Sequence, residues 1–405
     1  MASTTLTGQC HCKSVHFTIT VPTSSLPLPT HLCHCFVCRQ THGSFCCFHA
    51  PLPNRTQPIF IAPSSLFTSC TGYTHSPAAA SIRYFCSTCG CHIGDHDIPD
   101  SSDRSNPEWR IATSVLSPRG SEFFKINTHF FADTFPGTAP APGAALGAGT
   151  VPAPGLHTWV PRLDNRPLKS ITPAPGPENE IFPLPRPPPP VREVDSLGQD
   201  RLRTECHCGG VKFWISRPSH PSLSPSPSLS LDKNENGNGN GNGHPAAKSI
   251  TSPVDGNKWK ACLDVCDDCR LVTGAHVIGW MFVAREAINP SLPSPERGLE
   301  GYGMVREYVS SEGVVRGFCK GCGATVFYTC VNGGKEREGI VDVAVGLLRA
   351  PEGVAAGEWV TWRTGRVAHL ADGRRFDKAW ADAVEEGFRE WGVKTHGEAL
   401  DFEIP

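Results

Sequence analysis

The chain has 405 residues and a formal net charge of −2, with 37 Lys and Arg against 39 Asp and Glu. At about 100–200 residues per domain, this length predicts two or three domains. The balanced charge argues against generic binding to nucleic acid, which needs a basic surface. No apolar run is long enough to span a membrane. The first residues show no signal-peptide pattern, so we expect a reducing compartment, the cytoplasm with the nucleus left open.

Cysteine is unusually abundant, with 19 residues in the chain. In a reducing compartment, such residues bind metals or carry redox chemistry more often than they form disulfides. The odd count also prevents a complete set of disulfide pairs. The spacing of the cysteines is therefore the main indication of function.

Short apolar or alternating stretches, separated by Gly and Pro, predict a mainly β fold with few helices. In chain order these stretches are 15–21, 109–116, 211–215 and 339–348. One helix is predicted near the end of the chain, where apolar residues recur every four positions. They are Phe376, Trp380, Val384 and Phe388. We expect this helix to bury its aromatic side chains and to end at Gly392.

Three stretches have compositions that cannot form a packed core. They are rich in Pro, Gly, Ala, Ser or Asn and cover residues 136–154, 173–190 and 218–244. Such compositions bury too little apolar surface to offset the entropy of an ordered chain, so we expect mobile segments. The prolines around 186–190 favour an extended polyproline II spacer between domains.

A repeat of a whole domain is visible in the sequence. Residues 9–19 reappear at 205–215 with the Cys-x-Cys pair in register, and Cys-x2-Cys-Arg and Phe-Cys-x2-Cys-Gly segments follow in both halves. The predicted parts are a domain at 1–172 with an insertion at 136–155, a Pro-rich linker at 173–200, and a domain at 201–392 with a disordered insertion at 217–257.

Seven cysteines of the first copy form three clusters at metal-ligand spacing. The clusters are Cys10 and Cys12, then Cys33, Cys35 and Cys38, then Cys86 and Cys89. A closed structural zinc site takes four thiolates, whereas a reactive zinc site takes three protein ligands and leaves one position open. The seven thiols therefore predict a four-cysteine site from the outer pairs and an open site from the middle triplet. Arg39 follows the triplet and is the expected cation beside its thiolates.

Two other interpretations of these cysteines stay open. Cys35 and Cys38 could form a redox Cys-x2-Cys pair, or all seven thiols could form a purely structural cluster. Histidines at zinc-finger spacing and a Cys-x-x-Cys-His haem motif are both missing from the sequence, which excludes those two classes.

The second copy repeats the pattern with one departure. Its four-cysteine set is Cys206, Cys208, Cys319 and Cys322. Asp264 stands where the first copy has Cys33, so the second site would be Asp264 with Cys266 and Cys269, a harder donor set that we expect to bind zinc more weakly. Cys262 would lie about 13 Å from Cys266 along an extended strand, too far to share a metal. We expect the first copy to have the intact site and the second an altered or degenerate one.

The remaining residues of interest have simpler expectations. Six cysteines outside the clusters are predicted to be buried free thiols, as cysteine packs like a small apolar residue, with the exception that Cys91, which follows Cys89 and Gly90, could face the open site. They are Cys46, Cys47, Cys70, Cys91, Cys262 and Cys330. His11, His34 and His207 lie between paired cysteines, where alternation along a strand would point them away from a metal.

The order of these motifs resembles the glutathione-dependent formaldehyde-activating enzyme family, which includes centromere protein V. Both copies carry the resemblance. In the first copy its motifs are Gly-x-Cys-x-Cys, Cys-His-Cys-x2-Cys-Arg and Phe-Cys-x2-Cys-Gly, and the second copy has their counterparts. The resemblance implies two tandem zinc-stapled β-tent domains. By that resemblance Cys10, Cys12, Cys86 and Cys89 hold a structural zinc. The resemblance also implies that Cys33, Cys35 and Cys38 hold a second zinc, which is associated with a glutathione adduct.

The resemblance implies a zinc-dependent carbon–sulfur lyase activity on a glutathione–aldehyde adduct of the S-hydroxymethyl type, which we expect the first copy to carry. The expected partners are a small thiol such as glutathione and its aldehyde adduct. A different interpretation is a non-enzymatic zinc scaffold that binds a protein partner, which the change at Asp264 favours for the second copy.

Overall fold

The computed structural model describes residues 2–77, 79–98, 108–132, 154–171, 190–220, 223, 249–330, 334 and 337–405. The segments 136–154, 173–190 and 218–244, which we predicted to be mobile, lie almost entirely outside the described residues. We call the residues up to 171 copy one and those from 190 onward copy two.

Strands dominate both copies, as the sequence predicted. The strands of copy one are β1 (Ser3–Gln9), β2 (His16–Pro22), β3 (Leu28–Cys33), β4 (Cys47–Pro51), β5 (Ile59–Phe60), β6 (Cys70–Tyr73), β7 (Ser81–Cys86), β8 (His92–Asp97), β9 (Trp109–Ala112), β10 (Leu116–Ser117), β11 (Phe124–Phe130), β12 (Arg162–Leu163), β13 (Arg166–Pro167) and β14 (Lys169–Ile171). Those of copy two are β15 (Glu193–Val194), β16 (Asp200–Glu205), β17 (Lys212–Ser216), β18 (Trp259–Asp264), β19 (Ile278–Ala284), β20 (Ile288–Asn289), β21 (Val305–Ser311), β22 (Val314–Cys319), β23 (Thr325–Cys330), β24 (Ile340–Ala344) and β25 (Val360–Trp362). The α-helices of the described residues are α1 (Phe36–His42), α2 (Leu66–Ser69), α3 (Leu156–Trp159), α4 (Asp267–Thr273), α5 (Leu370–Phe376) and α6 (Lys378–His396).

The two copies have the same strand order in their large sheets. Copy one runs β14-β11-β3-β4-β9-β8-β7-β6, and copy two runs β25-β18-β19-β24-β23-β22-β21, which lacks only a counterpart of β14 among the described residues. Each copy also has a four-stranded sheet, β10-β1-β2-β5 in one and β15-β16-β17-β20 in the other. The sequence repeat is therefore a repeat of the fold.

Alternation along the strands builds the core of each copy. In β2 the side chains of Phe17, Ile19 and Val21 are buried while those between them are more exposed, as a strand with one solvated face requires. β3 and β18 run into the short helices α1 and α4, so both copies carry a strand–helix corner at the same place. This corner positions the middle cysteine cluster.

The copies pack against each other through reciprocal contacts. The hydroxyl of Tyr308 lies 2.6 Å from Nδ1 of His11, and the hydroxyl of Tyr73 lies 2.6 Å from Nδ1 of His207. Each tyrosine comes from the hairpin of one copy and each histidine from the first cysteine loop of the other. The largest core cluster likewise contains residues of both copies. Phe48 of copy one, for example, belongs to it together with many residues of copy two. The contacts indicate an approximate twofold relation between the copies.

Gly43 is a point of very close approach at this interface. It ends α1 with φ +70°, and a Cβ there would lie 2.1 Å from the carbonyl oxygen of Thr325 in copy two. Gly274 ends α4 in the same way, against the backbone of His92 in copy one. At these two positions only glycine permits both the left-handed conformation and the close approach.

We expect Gly43→Ala to lower the free energy of unfolding by roughly 2–5 kcal/mol, because positive φ and a backbone clash both oppose the added methyl group. Gly397→Ala is the matched control, since Gly397 also ends a helix with φ +84° but has no atom within 4 Å of the added Cβ. Thermal unfolding of the two variants measures the difference. Equal losses would show that the contact between the copies contributes nothing.

The C-terminal helix differs in its bounds from the sequence prediction. Its aromatic residues are buried as predicted, but Phe376 belongs to α5, and α6 begins after Asp377, whose carboxylate accepts a hydrogen bond from the backbone N–H of Trp380. The helix ends at Gly397 rather than Gly392. Gly392 lies inside the helix. A Cβ there would lie 2.1 Å from the side chain of Thr364, so close packing, and not the end of the helix, requires glycine at this position.

The predicted linker and the predicted second insertion each contain residues that are ordered and packed near one end. β15 lies in the predicted linker and pairs with β16, and Ile250, at the end of the predicted second insertion, is fully buried in the core. Composition did not indicate either contact. Among the described residues, no helix combines the length and the apolar character needed to cross a membrane.

Candidate metal centres

The outer cysteines of copy one come together at one end of the fold. Cys10 and Cys12 lie in the turn after β1, whereas Cys86 is the last residue of β7 and Cys89 lies in the turn that follows it. Their four sulfurs lie within 4.8 Å of one another, and Sγ of Cys12 is 3.5 Å from those of Cys10 and Cys86. Thiolates on one tetrahedral zinc are separated by about 3.8 Å, given Zn–S bonds of ~2.3 Å. The four residues therefore fit a closed metal site.

The local backbone explains this arrangement. The N–H groups of Val15 and Thr88 donate to the sulfurs of Cys10 and Cys86 at 3.4 Å each, and Gly90 turns the chain with φ +79° beneath the cysteine pair. Hydrogen bonds from backbone N–H groups stabilise the thiolate form that a metal needs. A metal at this position would join the four-stranded sheet to the large sheet of copy one.

Copy two has the same arrangement. Sγ of Cys208 is 3.6 Å from that of Cys206 and 3.5 Å from that of Cys319, and Cys322 completes the group within 4.8 Å. Backbone N–H groups of Gly210 and Val211 donate to two of the sulfurs. Each of the two four-cysteine groups can therefore hold a metal ion.

The middle cysteines of copy one converge at the β3–α1 corner. Cys33 ends β3, Cys35 caps the N-terminus of α1 by accepting from the N–H of Cys38, and the three sulfurs lie within 4.8 Å of one another. All three side chains are at least nine-tenths buried. Contacts with the thiols of Cys33 and Cys35, together with the guanidinium of Arg83, hold the pKa of Cys38 well below its usual range.

An arginine that sequence reasoning did not single out, Arg83, contacts this triplet. Nη2 of Arg83, on β7, donates to Sγ of Cys38 at 3.8 Å, whereas Nη1 of Arg39 donates to the backbone carbonyl of Leu348 in copy two at 3.4 Å. Arg39 lies one helical position beyond Cys38, so its side chain leaves the helix on the side facing the other copy. Burial there lowers the pKa of Arg39 to about 9.

Sequence reasoning missed Arg83, although a signal was present. An arginine precedes the third cysteine cluster at the same spacing in both copies, as Arg83 before Cys86 and Arg316 before Cys319. In copy two Nη1 of Arg316 donates to Sγ of Cys269 at 3.4 Å, the same contact. A charged residue at an inward-facing strand position in both halves of a repeat indicates a buried partner.

Sequence reasoning also missed the position of Cys47. We predicted a free buried thiol, and the side chain is indeed buried, but it lies directly opposite Cys33 across the β3–β4 pair and packs in one small cluster with the triplet. The strand pairing that places Cys47 opposite Cys33 is not visible in the sequence.

The altered cluster of copy two is also assembled. Asp264, Cys266 and Cys269 place their ligand atoms within 4.8 Å of one another. Oδ1 of Asp264 accepts a hydrogen bond from the N–H of Cys266 at 2.7 Å, which leaves Oδ2 facing Sγ of Cys269 at 3.6 Å. The carboxylate is thus held in position to share a metal with the two sulfurs. Cys262 is buried nearby but is not part of the group.

A cavity of about 480 Å³ opens beside this cluster in copy two. Its wall combines the cluster with the aromatic rings of Trp280 and Tyr328 and the charged side chains of Arg316, Arg337 and Asp342. Burial raises the pKa of Asp342 to about 6, although the guanidinium of Arg337 lies 2.8 Å away and opposes that shift. A carboxyl group with a raised pKa inside a cavity is typical of a functional site.

The histidines between paired cysteines point away from the clusters, as alternation predicted. Nε2 of His34 lies 2.8 Å from Nδ1 of His129, and His11 and His207 contact the tyrosines of the opposite copy. None of the three belongs to a possible metal-ligand group among the described residues.

Comparison with known families agrees with this geometry. A family model described as glutathione-dependent formaldehyde-activating enzyme matches residues 5–132 and 242–362, one stretch in each copy. The second stretch leaves out Cys206 and Cys208, which the insertion separates from the rest of copy two. Searches of curated proteins and of solved structures found no match. Because the matched stretches make up more than half of the chain and contain both triplet-type clusters, the chain belongs to the glutathione-dependent formaldehyde-activating enzyme family.

Proposed function

We propose that the protein is a zinc-dependent carbon–sulfur lyase that forms and breaks the S-hydroxymethyl adduct of glutathione and formaldehyde, and that copy one carries this activity. In the forming direction the thiol sulfur bonds to the carbonyl carbon and the thiol proton passes to the carbonyl oxygen. The family supports the general chemistry. The assignment to copy one is supported by its three mutually close thiols, which are the observation that carries the proposal.

The proposal assigns a structural zinc to each four-cysteine group and a reactive zinc to Cys33, Cys35 and Cys38. These residues fit zinc because buried thiolates at tetrahedral spacing are its preferred donors. When bound there, zinc supplies Lewis acidity, which favours a bound thiolate and polarises an oxygen next to it. All 19 cysteines are free thiols, which suits a reducing compartment, and we propose the cytoplasm or the nucleus.

Other groups of copy one support the same chemistry. Arg83 places positive charge against Cys38, which stabilises the thiolate state of the triplet. His31 lies two residues before Cys33 on β3, so the two side chains leave the strand on the same face. Burial, with a further contribution from His49, lowers the pKa of His31 to about 4, so the imidazole is neutral at pH 7 and is a weak proton acceptor. We propose that this neutral imidazole orients the adduct hydroxyl by a hydrogen bond, because a base with so low a pKa does not retain a proton at pH 7.

The direct test is exchange spectroscopy on glutathione and formaldehyde at equilibrium, because the adduct also forms without a catalyst. Line shapes of the formaldehyde hydrate and the S-hydroxymethyl group report both rates at once. We expect the protein as purified with its zinc to accelerate exchange with glutathione well above the spontaneous rate. A rate equal to the spontaneous one, at measured zinc occupancy of the triplet, would refute the proposal.

Copy two supports a second candidate function, ligand binding without turnover. Asp264 replaces a thiol there, and Cys262 occupies the strand position of His31, so copy two has neither the three thiolates nor the imidazole. The cavity beside its cluster is the observation that favours binding. We infer that copy two is a zinc-binding scaffold or interaction module. Loss of all catalytic exchange in Cys35→Ser protein, with copy two intact, is the expected result, and residual catalysis would assign activity to copy two.

A further inference from the structure

Cys47 occupies a position that the proposed chemistry does not use. It is the first residue of β4, its side chain is 1% exposed, and it pairs directly with Cys33. Its neighbour Cys46 is equally buried but belongs to the large core cluster on the other face of the chain. Successive strand residues point to opposite faces, which explains why only Cys47 meets the triplet.

The contacts of Cys47 are one-sided. Its side chain packs in one small cluster with the triplet. It is not part of the group of sulfurs that all lie within 4.8 Å of one another, which consists of Cys33, Cys35 and Cys38. Cys47 therefore lies beside the triplet, directly across the strand pair from Cys33.

Copy two provides an internal comparison. The residue opposite Asp264 across the β18–β19 pair is Ile278, so the position of Cys47 is apolar in copy two. At this strand position a thiol therefore stands in the copy whose cluster has three thiols of its own, and an apolar side chain stands in the other. An isoleucine at this position in copy two shows that the fold accepts an apolar side chain there, and packing alone does not require cysteine.

We propose that Cys47 is a fourth, exchangeable ligand of the metal at the triplet, bound when no substrate thiol is present and displaced when one arrives. The inference rests on the proposed function in one respect, that the triplet holds a metal ion. In the exchange the incoming thiol gives up its proton and becomes the fourth thiolate, while Cys47 leaves as a thiolate and takes up that proton. No oxidant or reductant is needed, and the net charge of the buried site does not change.

The constant charge gives this exchange its physical advantage. Four thiolates and one Zn²⁺ carry a net charge of −2, which the contact between Arg83 and Cys38 partly offsets. Changing the charge of a group buried in low dielectric is costly. Replacement of one thiolate by another avoids that cost, and it excludes water from the fourth position in the resting state. The site would therefore favour thiols over oxygen ligands.

The test compares Cys47→Ser with the matched control Cys46→Ser, using the full chain reloaded with Co²⁺ as a spectroscopic probe. We expect Cys47→Ser to lose the charge-transfer absorption of one thiolate and to release the triplet metal to a chelator at least about 10-fold faster. Cys46→Ser should match the wild type in both measurements. Thermal unfolding shows whether each variant is folded. If Cys47→Ser does not fold, Cys47→Ala takes its place in both measurements.

Two results would overturn the proposal. One is a Cys47→Ser protein whose Co²⁺ spectrum and metal release equal those of Cys46→Ser. The other is a triplet that binds no Co²⁺ in the wild type, which also removes the basis of the proposed activity. A protein that loses the thiolate signal in Cys47→Ser but does not accelerate adduct exchange would confirm the ligand and refute the lyase function, so the two failures are distinguishable.

Discussion

Cys86→Ser is expected to unfold most of copy one under conditions in which the wild type is folded. Cys86 belongs to the four-cysteine group that joins the turn after β1 to the turn after β7, 74 residues further along the chain. Structural zinc contributes on the order of 10 kcal/mol to the folding of small zinc domains, as much as the whole stability of a typical protein. Serine is a poor zinc ligand, so we expect loss of this metal to be decisive.

The measurement is thermal unfolding together with the zinc content of the purified variant. We expect the content to fall by two, because an unfolded copy one loses the triplet metal as well as the four-cysteine metal, and the cooperative transition to disappear or to shift far downward. Cys330→Ser is the control, because Cys330 is a partly buried thiol outside the possible ligand groups of the described residues. A Cys86→Ser protein with the zinc content and unfolding temperature of that control would contradict a structural metal at this site.

Cys35→Ser is expected to abolish catalysis of adduct exchange while the protein stays folded. Cys35 has two roles in the structure, as a member of the triplet and as the N-cap of α1, where its sulfur accepts from the N–H of Cys38 at 3.4 Å. Serine is among the best N-cap residues, so the helix keeps its cap. The substitution therefore removes a metal ligand with little effect on the local fold.

Exchange spectroscopy and thermal unfolding on the same samples separate these two roles. We expect the exchange rate of Cys35→Ser to equal the spontaneous rate, and its unfolding temperature to stay close to that of the wild type. Cys46→Ser, a buried thiol on the opposite face of the chain, should keep both properties. If Cys35→Ser unfolds together with its loss of activity, the triplet is a structural element and the seven-thiol structural interpretation is preferred.

How much the sequence predicted depends on how far apart the interacting residues lie. The four-cysteine groups and the triplet were predictable because fixed short spacings and a domain repeat restrict the possible partners. Cys47 was not, because its contact with Cys33 depends on the register of β3 and β4 across a turn containing α1. The place of Arg39 beside the triplet stays a prediction, and its contact with Leu348 was not predictable because it comes from the other copy.

The relation between the copies was also beyond sequence reasoning. We expected two domains separated by a spacer, and composition gave no indication that His11 would contact Tyr308 or that His207 would contact Tyr73. These contacts place a side chain of each copy against the first cysteine loop of the other. A metal bound in one copy thus stabilises a loop against which the other copy packs.

The central claim is that copy one holds a metal at the triplet, separate from the four-cysteine groups. The most direct measurement is zinc per chain in protein purified without added metal, for the wild type and for Cys33→Ser/Cys35→Ser. We predict three or four zinc ions in the wild type and one fewer in the double variant. Two zinc ions in both proteins would show that only the four-cysteine groups are occupied, and would contradict a reactive metal at the triplet.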